Sequence, residues 1–385
     1  MNDDFRTVYR ELADDARNYS DPERALAVGH RRRRTMLAAP ALAAAVAVVA
    51  FGTWVTLRPP MPTGSPGNQV TEVMTAASTP VPTLSPPPAA PALPPGAVGR
   101  ASFAYAGCRS GCPWLVVVGD RQFVVPGEDR NPGSSAMLLS LSPDGRWVGY
   151  PAGDGYVVRD LTGTRTMAFP PSETGRRVAA WVWSADSKRL LVGDFREGDD
   201  NTYTVVDVLT GSRTPAVIPP ARTPLAVTDE GKIVSRDRDQ HPEPTRVLTL
   251  TVSAIGEATG RSVSIDASAV LAQNESLFPG SVLVDPDAGG YLLGVGTSDG
   301  ISTAVLRVAA DGRVVERVVD LPRDTRNREF WNVLGVNADG LLLSRQTNDT
   351  GRQATTVVAV TDGASRDLVA LPHESIVAVP GASAR

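Results

Sequence analysis

The sequence predicts an all-β fold, a six-bladed β-propeller, attached to a single membrane-spanning helix. Three observations support this prediction: a pattern of apolar strand, acidic turn and apolar strand that recurs five times, an uncharged stretch over 35–57, and a proline-rich stretch after it. The chain has 385 residues, 42% hydrophobic and 21% charged, which suffices for one large domain or two medium ones. A net charge of -4, with acids and bases mixed along most of the chain, predicts no nucleic-acid partner.

Residues 1–34 form a short, strongly charged tail. Phe5, Val8, Tyr9 and Leu12 recur at helical spacing after three residues that can cap a first helical turn. The tail is therefore predicted to be cytoplasmic, partly helical and to present these four side chains to a partner. The competing interpretation is a solvated tail whose helices form only on a partner, because so short a segment cannot bury a core alone.

Residues 35–57 are predicted to form a transmembrane helix. They carry no charge and would span about 34 Å as a helix, which matches a hydrocarbon core of about 30 Å. Four consecutive arginines precede them: Arg31, Arg32, Arg33 and Arg34. Only Arg58 follows directly, so the positive-inside rule places the N-terminus in the cytoplasm and the C-terminal part outside.

Two cleaved leaders are alternatives to a permanent anchor. A Sec signal peptide has a shorter charged region and a 7–15-residue apolar core, and here the small-x-small triplets fall inside the core. The string from Arg33 to Leu37 loosely fits a twin-arginine export signal, but no cleavage site follows it. All three interpretations export the C-terminal part.

Residues 58–97 are predicted to be a disordered, proline-rich linker. Twelve prolines lie between Pro59 and Gly96, and Glu72 is the only charge among those residues. Such a composition cannot bury enough apolar surface to fold, and it favours extended polyproline II. The linker is therefore expected to act as a semi-rigid stalk.

Residues 98–385 contain the repeats and are predicted to form the propeller domain. Five units share an apolar strand, a tight turn, a second apolar strand and a third: Met137–Gly163, Trp181–Gly211, Leu225–Leu250, Ser281–Val308 and Trp331–Val360. Their turn acids recur at intervals of 42 to 58 residues: Asp144, Asp186, Asp229, Asp287 and Asp339. A period of this length made of short strands is typical of one propeller blade.

The two ends of this segment predict how the ring closes. Residues 375–379 resemble the first strand of a unit that then stops, whereas residues 101–125 resemble a unit that lacks its first strand. Together they would form a sixth, composite blade that removes the exposed sheet edges of a linear array. A seven-bladed ring is the alternative, because the stretch from Glu257 to Leu277 is long enough to contain additional strands.

The Ser-Pro-Asp-Gly turn at 142–145 and the Asp-Leu-Thr-Gly strand end at 160–163 resemble the blades of TolB-type and WD-repeat-like (WD40-like) bacterial propellers. The Gly-His and Trp-Asp signatures of eukaryotic WD repeats are absent. The whole layout is similar to a class of actinobacterial membrane proteins. Some proteins of this layout are anti-sigma factors whose cytoplasmic head holds a sigma factor, although this tail lacks the His-x3-Cys-x2-Cys string of zinc anti-sigma domains.

Motifs that could support catalysis or metal binding have structural interpretations. Gly296–Gly300 fits a Gly-x-Ser-x-Gly string, but the string joins two predicted strands, as a hairpin turn does. His241 and His373 each lie beside a proline in a predicted loop. Acids that could hold calcium occur in two loops, and ordinary solvated turns are the favoured interpretation of them: Asp194, Glu197, Asp199, Asp200, Asp285 and Asp287. We therefore predict no catalytic residue, no metal site and no cofactor.

Cys108 and Cys112 are the only cysteines of the chain. Outside the cytoplasm two nearby cysteines usually pair, so they are predicted to form a disulfide across a hairpin. A redox or metal-binding pair is the alternative interpretation.

Taken together, these patterns predict a single-pass membrane protein with an extracytoplasmic recognition or sensor propeller. The propeller would bind a protein, a peptide or a glycan, and the tail would signal to a cytoplasmic regulator such as a sigma factor. The alternatives are a propeller hydrolase or lyase acting on envelope material, and a passive envelope scaffold.

Overall fold

The computed structural model describes residues 82–381. The description has gaps at 88, 109–111, 127–138, 154, 171–176, 196–200, 239–244, 286–288, 299–300, 322–329, 338–339, 350–351, 362–363 and 373–374. The predicted tail, transmembrane helix and first part of the linker lie outside the described residues. Within the described part of the chain, no helix has both the length and the apolar character needed to cross a membrane.

Twenty-four strands are described, and they form six four-stranded antiparallel sheets, the blades of a propeller. Blade 1 contains β1 (Phe103–Ala106), β2 (Trp114–Val118), β3 (Arg121–Val124) and the C-terminal β24 (Ile376–Ala378). Blade 2 contains β4 (Ser140–Leu141), β5 (Trp147–Ala152), β6 (Gly155–Asp160) and β7 (Thr166–Phe169). Blade 3 contains β8 (Arg177–Trp183), β9 (Arg189–Phe195), β10 (Thr202–Asp207) and β11 (Arg213–Ala216).

The second half of the ring has the same organisation. Blade 4 contains β12 (Arg222–Val227), β13 (Lys232–Asp237), β14 (Val247–Ala254) and β15 (Arg261–Asp266). Blade 5 contains β16 (Glu275–Val284), β17 (Tyr291–Thr297), β18 (Ser302–Val308) and β19 (Val314–Asp320). Blade 6 contains β20 (Phe330–Asn337), β21 (Gly340–Asp349), β22 (Arg352–Thr361) and β23 (Ala364–Leu371).

The ring closes through blade 1, as the sequence predicts. The C-terminal β24 pairs with β1, with Tyr105 opposite Val377. The stretch from Glu257 to Leu277 contains β15 and the start of β16, so it adds no blade. The six-bladed prediction is confirmed and the seven-bladed alternative is wrong.

The core consists of six apolar clusters, and each lies between two neighbouring blades. The last of these interfaces joins blade 6 to blade 1, through side chains such as Leu342 and Tyr105. Because each inner strand is covered on both faces by a neighbouring blade, its apolar residues form a run rather than an alternation. In β17 every residue is buried. Burying one leucine or valine contributes about 1.5–3 kcal/mol, so these interfaces hold the ring together.

Residues 82–97, which we call the strap, belong to the predicted linker but pack against the propeller. Thr83 pairs with Ala370 on the outer strand of blade 6, and Ala92 pairs with Val124 on the outer strand of blade 1. Prolines are compatible with these positions because an edge strand needs no second row of donors. The strap thus covers part of the outer sheet edges of blade 6 and blade 1, the two blades whose interface closes the ring.

Arg159 fixes the strap to blade 2. Its side chain lies on β6, is 5% exposed, and donates to the backbone carbonyls of Leu93, Pro94 and Gly96. Leu93 is itself buried between blades 1 and 2. The chain therefore contacts the propeller well before the predicted domain boundary at residue 98.

Candidate functional site

The propeller has two ends of different character. The turn end carries the connections between the first and second strands of blades 2 to 6, which include Asp144, Asp186 and Asp229. Because the strands are antiparallel, the connections between second and third strands and between blades lie at the opposite end, the loop end.

Hydrogen bonds satisfy the polar groups of the turn end. In blade 2 the Asp144 carboxylate accepts from the Ser142 hydroxyl at 2.7 Å and from the Arg146 amide at 3.0 Å. Gly145 follows with φ +67°, and a Cβ there would lie 2.1 Å from the carbonyl oxygen of Ala101, so glycine is required. This explains the Asp-Gly pair in the turn of blade 2, whereas in blade 3 Ser187 adopts the same positive φ.

The turns of successive blades also bond to one another. The Asp144 amide donates to the Ser187 hydroxyl at 3.0 Å, and the Asp186 amide donates to the Asp229 carboxylate at 2.9 Å. These bonds join blade 2 to blade 3 and blade 3 to blade 4. The turns therefore fix the register between blades, through the Asp229 carboxylate in one case and the Ser187 hydroxyl in the other.

The neighbouring carboxylates of Asp186 and Asp229 have opposite pKa shifts. Burial acts to raise the pKa of Asp186, but hydrogen bonds from Ser184 and Lys188 outweigh it and hold the pKa below 3.8. Burial, followed by repulsion from Asp186 and Glu230, raises the pKa of Asp229 above 3.8. The ionised form is thus favoured at Asp186 and disfavoured at Asp229.

We expect Asp229→Asn to raise the free energy of unfolding at pH 7 by up to about 1 kcal/mol, because it removes a disfavoured charge and keeps the oxygen that accepts from the Asp186 amide. A folded-state pKa above the unfolded one means that ionisation costs stability, so the difference should vanish as the pH falls through the raised pKa. Asp186→Asn, the matched control, should lower stability by about 0.5–1 kcal/mol because it loses the ion pair with Lys188. Urea unfolding at pH 7 and pH 3.5 measures both; equal signs for the two variants would contradict the assignment.

The loop end, in contrast, holds buried polar atoms that lack a partner. Four such side-chain atoms occur in the part of the chain that the structure describes: Asp194 Oδ1, Arg236 Nε, Trp331 Nε1 and Ser375 Oγ. All four residues lie at the loop-end termini of inner strands, in blades 3, 4, 6 and 1. An unsatisfied buried polar atom costs about 1–3 kcal/mol, so each one requires an explanation such as a bound water, an ion or a ligand.

Arg236 has the most unusual environment of the four. The residue is 7% exposed, and the one hydrogen bond described for it is a long one of 3.4 Å to the carbonyl oxygen of Asp237. Burial lowers the pKa of its guanidinium, and no carboxylate among the described residues forms an ion pair with it. Because a buried cation normally has an acidic partner, Arg236 is suited to receive an acceptor group from a ligand.

Further polar groups lie at the same end of the ring on the neighbouring blade 3. Asp194 lies near the end of β9, and its Oδ1 is buried. On the same blade, burial raises the pKa of Tyr203, while Arg238 and Asn201, which hydrogen-bond to the phenol, act in the opposite direction. The loop end of blades 3 and 4 therefore offers both donors and acceptors.

A second polar group lies on blade 6. The Trp331 ring is 3% exposed, and the Arg345 guanidinium carbon lies 5.7 Å from its centroid. Arg345 donates to Asp367 at 2.5 Å, which holds the guanidinium in place. Phe330, next to Trp331, is one of the large apolar side chains exposed on the surface. An aromatic group beside a fixed cation is a common feature of binding surfaces.

A small cavity lies at the turn end, where residues of several blades meet. It is lined by apolar side chains and glycine, including Pro143, Trp183, Leu225, Val284, Val336 and Gly381. The described residues contain no group of three histidine, cysteine, aspartate or glutamate side chains that could hold a metal ion.

A disulfide links Cys108 and Cys112, with 2.03 Å between the sulfur atoms. It lies in the connection between β1 and β2, at the loop end of blade 1. Closing so short a loop contributes about 2 kcal/mol or less, so its effect is local to the hairpin.

The other candidate residues of the sequence are separated in the structure. Asp285 is buried and accepts from Arg307 at 2.7 Å, so it serves an ion pair. Gly296 lies in β17, which pairs with β18, and this confirms the predicted hairpin. Glu197, Asp199, Asp200, Asp287, His241 and His373 lie outside the described residues, as do Phe5, Val8, Tyr9, Leu12, Arg31, Arg32, Arg33 and Arg34.

Sequence reasoning missed Arg236, Trp331, Ser375 and Arg159. A single arginine or tryptophan within an apolar strand carries no motif, and its lack of a partner depends on side chains from other strands. The one signal available in the sequence was the position of Arg236, because a charged residue follows the apolar residues Ile233 and Val234 within the same strand.

Comparison with known proteins finds similar solved structures at low sequence identity. No family model matches the sequence, and no curated protein matches it. TolB from Acinetobacter baumannii is a similar structure, with 13% identity and a TM-score of 0.43 over 72% of this chain and 66% of TolB. The putative TolB from Agrobacterium tumefaciens has 15% identity and a TM-score of 0.34 over 74% of this chain and 99% of that protein.

A third similar structure is Porphyromonas gingivalis dipeptidyl peptidase 4, with 11% identity and a TM-score of 0.34 over 66% of this chain. The match spans 42% of that enzyme. The chain therefore covers less than two thirds of the length of the peptidase, and 66% of the length of the Acinetobacter TolB.

Proposed function

We propose that this protein is a membrane-anchored recognition or sensor protein whose propeller binds a protein, a peptide or a glycan at its loop end. The observation that carries this proposal is the set of four buried, unpartnered polar atoms at that end of the ring. The turn end, whose acidic turns are hydrogen-bonded from blade to blade, provides the contrast. Ligand groups that accept from Arg236 and Trp331 and donate to Asp194 would satisfy three of these four atoms.

The rest of the chain supplies the proposed topology. The uncharged stretch over 35–57 anchors the protein, the arginines before it keep the tail in the cytoplasm, and the propeller lies outside the cell membrane. The tail then passes the binding event to a cytoplasmic regulator such as a sigma factor, through Phe5, Val8, Tyr9 and Leu12.

Arg236→Met tests the loop end, with the full chain in detergent micelles and a peptide library and a glycan array as probes. We expect probes selected by the native chain to lose at least tenfold in affinity, whereas Lys188→Met, at the exposed turn end, should bind them as the native chain does. Arg236→Met should also leave the free energy of unfolding unchanged or raise it by about 1 kcal/mol, because an unpaired buried charge is removed. Equal binding by both variants, or a clear loss of stability in Arg236→Met, would argue against a ligand site there.

The signalling part of the proposal is tested separately. Residues 1–34 serve as bait for a panel of purified sigma factors, beside a control in which Phe5, Tyr9 and Leu12 are changed to aspartate. Binding by the native tail alone supports signalling. The same background with both baits would leave the tail a topological leader.

A further inference from the structure

The strap contains one short motif twice. Residues 82–86 read Pro-Thr-Leu-Ser-Pro, and residues 91–95 read Pro-Ala-Leu-Pro-Pro, so both fit Pro-x-Leu-x-Pro at a spacing of nine positions. The prolines favour an extended backbone, which lowers the entropic cost of docking.

Both copies dock on the outer strand of a blade in the same way. In the second copy, the Val124 amide donates to the carbonyl of Pro91 at 2.9 Å, and the Leu93 amide donates to the carbonyl of Val124 at 2.8 Å. Ala92 forms a parallel bridge with Val124 between these two bonds. The second copy thus binds the outer strand of blade 1 through backbone hydrogen bonds.

The first copy repeats this pattern on blade 6. The Ala370 amide donates to the carbonyl of Pro82 at 3.1 Å, and the Leu84 amide donates to the carbonyl of Ala370 at 2.9 Å. Thr83 forms the parallel bridge. The flanking sequences of the two blades differ, so the shared feature is the motif and the free edge of the sheet.

The leucine of each copy provides the specific contact. Leu93 is 5% exposed and belongs to the apolar cluster between blades 1 and 2, and Leu84 packs against the cluster between blades 6 and 1. Beside Leu93, the buried Arg159 donates to three carbonyls of the strap. Pairing with the backbone of a strand, an apolar pocket for one side chain and an arginine that binds carbonyls are features of a peptide-binding groove.

We propose that the outer strands of blades 6 and 1 form a binding site for a Pro-x-Leu-x-Pro segment of another polypeptide, and that the strap occupies this site in its absence. The site lies on the circumference of the ring and is independent of the loop end. The strap contacts the propeller mainly through its backbone and the leucine of each motif. Any extended segment with this motif can therefore replace the strap. The tethered strap competes at an effective concentration on the order of millimolar, so it acts as an internal inhibitor.

A fluorescent peptide of residues 82–96 tests the proposal by anisotropy with the full chain. Leu93→Asp should release the strap from blade 1, and this variant should bind the peptide at least tenfold more tightly than the native chain does. A control peptide with aspartate at both leucine positions should not bind. Variants of the loop end, such as Arg236→Met, should bind the peptide like their parent, which separates this site from the proposed function.

Circular dichroism and thermal unfolding first establish that Leu93→Asp is folded. If it is not, Leu84→Asp replaces it, because Leu84 is only half-buried and its loss disturbs the core less. Tighter binding by the folded variant supports the proposal. Binding no tighter than that of the native chain, or equal binding of the control peptide, would overturn it.

Discussion

Replacement of Glu275 by glutamine should lower the free energy of unfolding by about 2–3 kcal/mol at neutral pH, because it removes the buried carboxylate that Arg317 binds and leaves Arg317 with Asp320 as its remaining described acidic partner. Glu275 is 8% exposed and opens the first strand of blade 5. Arg317 donates to both of its carboxylate oxygens, at 2.8 and 2.9 Å, and thereby ties the innermost strand to the outermost one. Thr303 and the Ala272 amide complete the set of donors.

The pH dependence of this pair follows from the pKa of Glu275. The hydrogen bonds from Arg317 lower the pKa from 4.5 to about 2, against the opposing effect of burial. A carboxylate with a depressed folded-state pKa contributes stability that is complete above pH 4.5 and is lost as the pH falls toward 2. The glutamine variant should therefore lose less stability between pH 5 and pH 2 than the native protein does.

Urea unfolding across this pH range measures both effects, and a double variant provides the control. Replacing Glu275 and Arg317 together by leucine removes both charges. The loss of stability in this double variant should be smaller than the summed losses of Glu275→Leu and Arg317→Leu. Additive losses would show that the two side chains do not stabilise each other, and a glutamine variant as acid-sensitive as the native protein would refute the pKa assignment.

The second large effect is expected at Arg159. Arg159→Leu should lower the free energy of unfolding by about 2–3 kcal/mol, because the carbonyls of Leu93, Pro94 and Gly96 lose a charged donor. The strap should then detach at its second motif, which makes it a preferred site of proteolysis. Limited proteolysis with mass spectrometry, beside thermal unfolding, measures both consequences.

A matched variant separates the clamp from a general effect of charge. Arg213 on blade 3 likewise donates to a backbone carbonyl, that of Ala168, but its side chain is exposed. Arg213→Leu should therefore lower the free energy of unfolding by less than about 1 kcal/mol. Similar losses for the two arginines, or unchanged cleavage of the strap in Arg159→Leu, would contradict a clamping role.

The architecture was predictable from the sequence because each blade repeats a local pattern. Apolar strands and the Ser-Pro-Asp-Gly turn follow from rules that span a few residues, and the turn needs glycine at the positive φ of position 145. The closure by residues 375–379 was predictable for the same reason, since an incomplete unit at each end of a repeat can be recognised without knowing any contact.

The candidate site was not predictable in this way. Whether Arg236 has a partner depends on side chains from several strands and from the neighbouring blade, which the local pattern does not encode. The pairing of Glu275 with Arg317 joins residues 42 positions apart on the first and last strands of one blade. Composition likewise indicated a linker at 82–97, because prolines disfavour a packed core, yet these residues dock on sheet edges that become available only once blades 6 and 1 have formed.

The sequence by itself thus determined the six-bladed ring and its acidic turns, because these depend on local backbone geometry and on the period of the repeat. The tertiary structure alone decided which polar groups are satisfied, where the strap lies and which end of the ring is left with unpartnered atoms. The physical reason is that hydrogen bonding and burial are properties of pairs of residues, and in a propeller most of those pairs lie on different strands or different blades.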